Sequence, residues 1–310
     1  MRKLTLVCFI LVPLSGISLI FWQHTLISNL KCHSGHFHLP GMTSCHSWLT
    51  CSESEFIAVK EPIGLGAVKA VYRATWKEFS LAYSRLNNPY YLSDFKYGLN
   101  MLKLFQPSPF VVQLVGFCEM ENVILTEYHK NGNAVNITNL SSHNLKSRLN
   151  LCLNYASLLE YLHNSPSGTR VMCDSNDLQK LLSQLLVTDN LALILNDLDA
   201  LPEVNQELNL TIKCGHQQLT GAFVAPEQLW PFSTPFDDSK MPGYNEKTDI
   251  WKAASVCEHL LEDVPNSDMA RYHLFSLHKS CKNPNPERRP TAHQLVKEYL
   301  KVIEEMDNDL

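Results

Sequence analysis

Residues 56–86, which contain IAVKEPIGLGAVKAVYRATWKEFSLAYSRL, alternate apolar and polar side chains around a glycine turn. A period of two marks antiparallel strands with one buried face, so three strands are expected here. A helix follows, with Phe95, Leu99, Leu102 and Phe105 on one face of Asp94–Phe105, stopped by Pro107 and Pro109. FVVQLVGFCE and NVILTEYH read as two further strands joined by a turn over Glu119–Asn122. Beyond residue 130 the period changes. Leu145–His163, WKAASVCEHLL, MARYHLFSLHKSC and TAHQLVKEYLKVIEEM all have helical spacing. The fold class expected is α+β and bilobal: a small five-stranded antiparallel β lobe with one helix (56–130), then a larger, mainly α lobe (131–310). The cleft between two such lobes is the usual place for a ligand.

The N-terminus is of another kind. Leu4 to Trp22 carries no charge and follows Arg2 and Lys3. At about 1.5 Å per residue the run is long enough to cross a bilayer. It exceeds the apolar region of a secretory signal and ends in the interfacial pair Phe21-Trp22, so it reads as an uncleaved signal anchor. With the positive charges on the cytoplasmic side, residues 1–3 form a short tail, 4–22 a single transmembrane helix, and 23–55 a luminal Cys/His-rich stem in a type II topology. Elsewhere the acidic and basic residues are interspersed, with a net charge of −5, so no electrostatic grip on nucleic acid is expected.

Of the 10 cysteines, all but Cys8 follow the anchor. Cys32, Cys45 and Cys51 alternate with His33, His36, His38 and His46, a mixture that raises zinc as well as disulfides. The spacing fits no ordinary zinc motif, and an oxidising compartment favours disulfides. An odd number of luminal cysteines leaves at least one unpaired within the chain, and the pairing is not legible. Three acceptor sequons, at Asn136, Asn139 and Asn209, become plausible glycan sites in that topology.

Gly64-x-Gly66 alone is weak, because any tight hairpin needs glycine. It gains weight from an ordered series: EYHKNG, YLHNSPSGTRVMCDSNDL, NDLDALP, AFVAPEQLW, KTDIWKAA with Asp249, and NPERRPTAHQL. The series resembles the layout of a protein kinase domain. That resemblance implies that Glu227 and Arg289 form the buried ion pair tying the substrate-side segment to the helical lobe. More narrowly, CHSGHFHLPGMTSCHSWLTC, GLGAVK, GTRVMCDSNDL, NDLDALP, KCGH and APEQLWP resemble the protein O-mannose kinase family, luminal sugar kinases within that superfamily. What this resemblance implies is transfer of the γ-phosphate of ATP, with Mg²⁺ or Mn²⁺, to the 6-hydroxyl of O-linked mannose. The mannose would lie in the GalNAc-GlcNAc-Man core trisaccharide of α-dystroglycan, and the enzyme in the endoplasmic reticulum membrane.

Against the ordinary kinase pattern the sequence departs at four places. The lysine of the third strand is missing, since Leu81-Ala82-Tyr83-Ser84 occupies its place. Strands lie about 4.8 Å apart, so Lys69 on the adjoining strand is expected to supply the phosphate-binding charge, as in the with-no-lysine kinases. Gly98 stands where the helix glutamate is expected, and Asp94, one turn earlier, is the candidate replacement; an acid favoured by the helix dipole is the competing reading. Met172-Cys173-Asp174 replaces His-Arg-Asp, which makes Asp174 the expected catalytic base and Asp177 its competitor. The metal-binding Asn five residues after that Asp would be Gln179, but counting back from NDLD gives Gln184 and an expanded loop.

Asp197 is expected as the principal metal ligand, while Asp199 could be a second ligand or a surface acid, the surface or hydrogen-bonding role being favoured. Gly64 and Gly66 would cover the nucleotide and Thr126 would back its pocket, with the Glu127 carbonyl and the His129 amide facing adenine. The alternative is a luminal pseudokinase that binds glycan or acts as a scaffold without transfer. Lys69, Asp174 and Asp197 argue against it, because a decayed site has no reason to keep cation, base and metal ligand together.

Overall fold

The computed structural model describes residues 32–140, 144–205 and 207–308. Among these no helix is long and apolar enough to cross a membrane, and the anchor expected at 4–22 lies outside them.

The N-terminal lobe comprises β1 (His36–Phe37), β2 (His46–Ser47), β3 (Ile57–Leu65), β4 (Lys69–Trp76), β5 (Phe79–Leu86), α1 (Leu92–Leu104), β6 (Leu114–Cys118) and β7 (Val123–Glu127). Its sheet is antiparallel in the order β3-β4-β5-β7-β6. β4 and β5 pair without interruption from Lys69↔Leu86 to Trp76↔Phe79. β3 slips past β4 on either side of Pro62, which has no N–H to give the ladder. α1 packs with Phe95, Leu99 and Leu102 inward, as its spacing predicts. The strand expected from Phe110 begins only at Leu114. Val112 N–H instead donates to the Leu195 carbonyl at 2.9 Å and Leu195 N–H to the Phe110 carbonyl at 2.8 Å, which ties the lobes together.

The Cys/His-rich stretch read as a stem packs on this sheet. β1 and β2 form a ribbon, Cys32 is bonded to Cys45, and Phe37, Leu39 and Leu49 are buried with Trp76, Leu81 and Val115. Leu49 donates to the Val115 carbonyl and accepts from Phe117 N–H, both at 2.9 Å, so the chain runs parallel to β6 along its outer edge. Gly116 permits this approach: a Cβ there would lie 2.5 Å from the Leu49 carbonyl oxygen. The Cys51–Cys118 disulfide closes the same seam.

The second lobe contains α2 (Ile137–Leu140), α3 (Leu145–His163), β8 (Thr169–Arg170), α4 (Leu178–Ser183), β9 (Leu185–Val187), β10 (Leu193–Leu195), β11 (Glu203–Val204), α5 (Lys247–Leu260), α6 (Ser267–Cys281) and α7 (Ala292–Asn308). Asn144 caps α3 by accepting from Ser147 N–H at 3.2 Å. Its residues are buried on nearly every side, which makes it the central helix, packed on α5 and α7. Cys152–Cys257 joins α3 to α5, and Cys173–Cys214 joins the loop before α4 to the segment after β11. Among the described residues Cys281 is the free thiol, buried in the core. Asn136, Asn139 and Asn209 are all exposed, although Ser141 of the second sequon lies outside the described residues.

Candidate active site

The turn between β3 and β4 hangs over the interlobe cleft. Gly66 N–H donates to the Lys69 carbonyl at 2.8 Å. Asn87, just past β5, latches the turn: its N–H donates to the Val68 carbonyl and its amide to the Gly66 carbonyl, both at 2.8 Å. Sequence reasoning missed Asn87, because a polar residue after a strand carries no signal of the turn it will meet. Gly64 to Val68 line a cavity with Lys69, Ala82, Ser84, Thr126, Asp174, Lys180, Asp197 and Asp199.

Val71 lies directly opposite Ser84 in the ladder, so Lys69, two residues from Val71, is the diagonal neighbour of Ser84 on one face of the sheet. Lys69 Nζ bonds Asp197 Oδ1 and lies 3.2 Å from Asp199 Oδ2. Burial would lower the lysine pKa, but the two carboxylates outweigh it and hold the ammonium charged. Burial likewise opposes ionisation of Asp197, yet Lys69 prevails and brings that carboxyl below its usual range. Asp199 behaves in the opposite way: burial, reinforced by the charge of Asp197, pushes it up to about 6 despite Lys69.

Two expectations are corrected here. Asp199 is not at the surface, since its side chain is 8% exposed, although the hydrogen-bonding role agrees with its pairing to Lys69. Asp94 is not brought to Lys69, whose carboxylate partners are Asp197 and Asp199. The reason lies in α1. A Cβ on Gly98 would stand 3.3 Å from Asp199 Cβ and 3.4 Å from its Cα and N, so the bare helix surface leaves room for the acid.

Opposite the glycine turn, Asp174 accepts from Lys180 Nζ at 2.7 Å. Asp177 points elsewhere: exposed, it caps α4 by accepting from Lys180 N–H at 2.8 Å. The loop expansion folds as α4 itself, and Gln184 at its end is buried beside Asp174 and Asp197. Turned over, the Gln184 amide donates to Asp197 Oδ2 at 3.0 Å and accepts from Lys180 Nζ at 3.3 Å. Lys180 was not foreseen, since nothing in its sequence neighbourhood distinguishes it from an exposed helix lysine.

The loop is held from below, where Asp249 Oδ2 accepts Met172 N–H at 3.1 Å and lies 3.2 Å from His163 Nε2. Arg289 forks onto Glu227, with Nη2 2.7 Å from Oε2, and is itself buried. Thr126 lies on the cavity wall, whereas the Glu127 and His129 side chains line a neighbouring cavity with His36, His38 and Gln113.

Among the described residues no group of three or more His, Cys, Asp or Glu could hold a metal unaided. Asp197 fits the other way of binding a hard cation, in which one or two protein oxygens share the ion with phosphate oxygens; Gln184 would join it by turning its amide oxygen from Lys180 toward Asp197.

No family model matches the chain. It is 47% identical over 293 residues to protein O-mannose kinase of Homo sapiens, covering 91% of this chain and 83% of that protein. The protein of the same name from Xenopus laevis is 44% identical over 282 residues, 88% of this chain and 80% of that one. A probable serine/threonine-protein kinase of Dictyostelium discoideum is 26% identical over 288 residues, 81% of this chain but 38% of its own length.

Proposed function

The chain belongs to the protein O-mannose kinase family, and from this we propose that it transfers the γ-phosphoryl group of ATP to the 6-hydroxyl of O-linked mannose. The acceptor we assign is the mannose of the GalNAc-GlcNAc-Man trisaccharide on α-dystroglycan. The observation that carries the reading is the Lys69 ammonium, which meets Asp197 across the cleft while Asp174 faces the same cavity.

In the reaction the mannose 6-oxygen attacks the γ-phosphorus and the bond to the β,γ-bridging oxygen breaks, so that ADP leaves with the electron pair. Asp174 orients the hydroxyl and takes its proton as the new bond forms. Lys69 sets its charge against the polyphosphate, under the turn of Gly64 and Gly66. Thr126 backs the adenine, and the Glu127 carbonyl and His129 amide are the adenine's hydrogen-bonding partners. Asp197 and Gln184 would hold Mg²⁺ or Mn²⁺, which when bound neutralises phosphate charge. Asp199 keeps Lys69 charged and placed before nucleotide arrives.

Four disulfides among the described residues support an oxidising compartment. With the uncharged run at 4–22 this supports a luminal catalytic domain on a type II anchor in the endoplasmic reticulum membrane. Labelled ATP, Mg²⁺ and the synthetic trisaccharide test the activity. Label on the mannose is the expected result. Trisaccharide binding without transfer, or no interaction at all, would overturn the assignment.

A further inference from the structure

Lys252 is completely buried in the middle of α5, in the core of the second lobe. An ammonium in such a place loses its hydration and needs compensation. It has three hydrogens to donate, and among the described residues the acceptor it meets is Ser175 Oγ, at 2.7 Å. Ser175 is also fully buried and directly follows Asp174. Its hydroxyl donates onward to the Met172 carbonyl, and its N–H donates to the Cys173 carbonyl at 2.7 Å.

The same helix reaches the other side of the same residue. Asp249, one turn before Lys252, accepts Met172 N–H at 3.1 Å. Residues three apart on a helix share a face, so α5 holds both the amide hydrogen and, through Ser175, the carbonyl oxygen of Met172. Burial presses the Lys252 pKa down while Asp249 and Glu227 act to keep it charged. The position has the chemistry of a polar anchor, whereas an apolar side chain would fill the same space without desolvating a charge.

Resting on the reading of Asp174 as the base, we infer that Lys252 is a positioning residue: it clamps the Met172–Ser175 turn through the Ser175 hydroxyl and so fixes where the Asp174 carboxylate meets the acceptor hydroxyl. Lys252 touches neither nucleotide nor sugar. A misplaced base slows the chemical step with little effect on ground-state binding, because small displacements of reacting groups are costly only at the transition state.

The test uses the luminal protein with ATP, Mg²⁺ and the synthetic trisaccharide, and compares Lys252→Met, Ser175→Ala, their double variant and Asp174→Asn. We expect kcat to fall about tenfold or more in each single variant, with KM for ATP and for glycan within about twofold. The double variant should be no slower than the slower single one, since both break one linkage. Ser175→Ala removes only a hydroxyl, so it carries the test should Lys252→Met fail to fold. Wild-type kcat in the folded single variants, or losses that multiply in the double one, would overturn the clamp. An unaffected Asp174→Asn enzyme would instead overturn the reading of the base, so the two failures are distinct.

Discussion

The two walls of the cleft depart from the ordinary kinase pattern in different ways. On the β lobe the lysine that enters the cleft, Lys69, stands on the strand beside the usual one, and the sheet keeps it on the same face as the vacated Ser84 position. On the helical lobe the change is along the chain: α4 separates Asp174 from Gln184, yet both side chains meet Lys180 Nζ. A sheet tolerates transfer between strands because its register fixes what lies beside what. A loop tolerates lengthening when the addition folds into a unit with its own cap, here Asp177. In both cases geometry is kept while linear spacing is lost.

The sharpest break of that comparison is on the loop wall. Asp174→Asn should lower kcat about a thousandfold with KM for ATP little altered, whereas Asp177→Ala should leave kcat within about twofold and cost about 1 kcal/mol of stability by uncapping α4. Steady-state kinetics and urea unfolding separate the two, and comparable kinetic losses would dissolve the distinction between base and cap. On the sheet wall, Lys69→Met should cost about a hundredfold or more in kcat/KM. Adding Ser84→Lys returns a lysine to the third strand and should recover about tenfold of that loss. No recovery would mean that the diagonal relation across the sheet does not make the two positions equivalent.

Gln184→Ala should raise the Mg²⁺ concentration needed for half-maximal rate by about tenfold. A metal titration at saturating ATP gives the answer, and an unchanged curve would detach Gln184 from the ion. The smallest effect concerns Asp199. Without metal or nucleotide its folded pKa, raised from 3.8 to about 6, means that the native state holds a proton the unfolded chain has released. Its contribution to stability therefore falls as pH rises through that window and is level above it. Urea midpoints of wild type minus Asp199→Asn should show that slope between pH 4 and 6. Parallel profiles would show that Asp199 titrates normally.

Much of this architecture could be read in advance because it rests on local periodicity. The alternation across 56–86 predicts three strands, and α3 runs from Leu145 to His163 as its spacing requires. The position of Lys69 followed from counting strands, since a ladder converts sequence offset into neighbourhood. The salt bridge to Asp199 was hidden, because its enabling residue is Gly98 and a missing side chain on a distant helix has no periodicity to read. Val111 and Val112 suit a strand but serve as a link to β10, a choice made by the second lobe. The disulfides were equally obscure: nine cysteines beyond Cys8 allow many pairings, and only the folded chain brings Cys173 to Cys214.

Leu49 lying along β6 has a consequence for the company this molecule keeps. An open sheet has two rims of unpaired backbone groups, each a template for a stray strand from another copy. The first rim is occupied by the chain's own backbone and fastened there by a covalent sulfur bridge. The second, β3, is broken by Pro62 and by slips in its pairing. Neither rim offers a long regular template, which guards against edge-to-edge polymerisation where newly made chains are crowded.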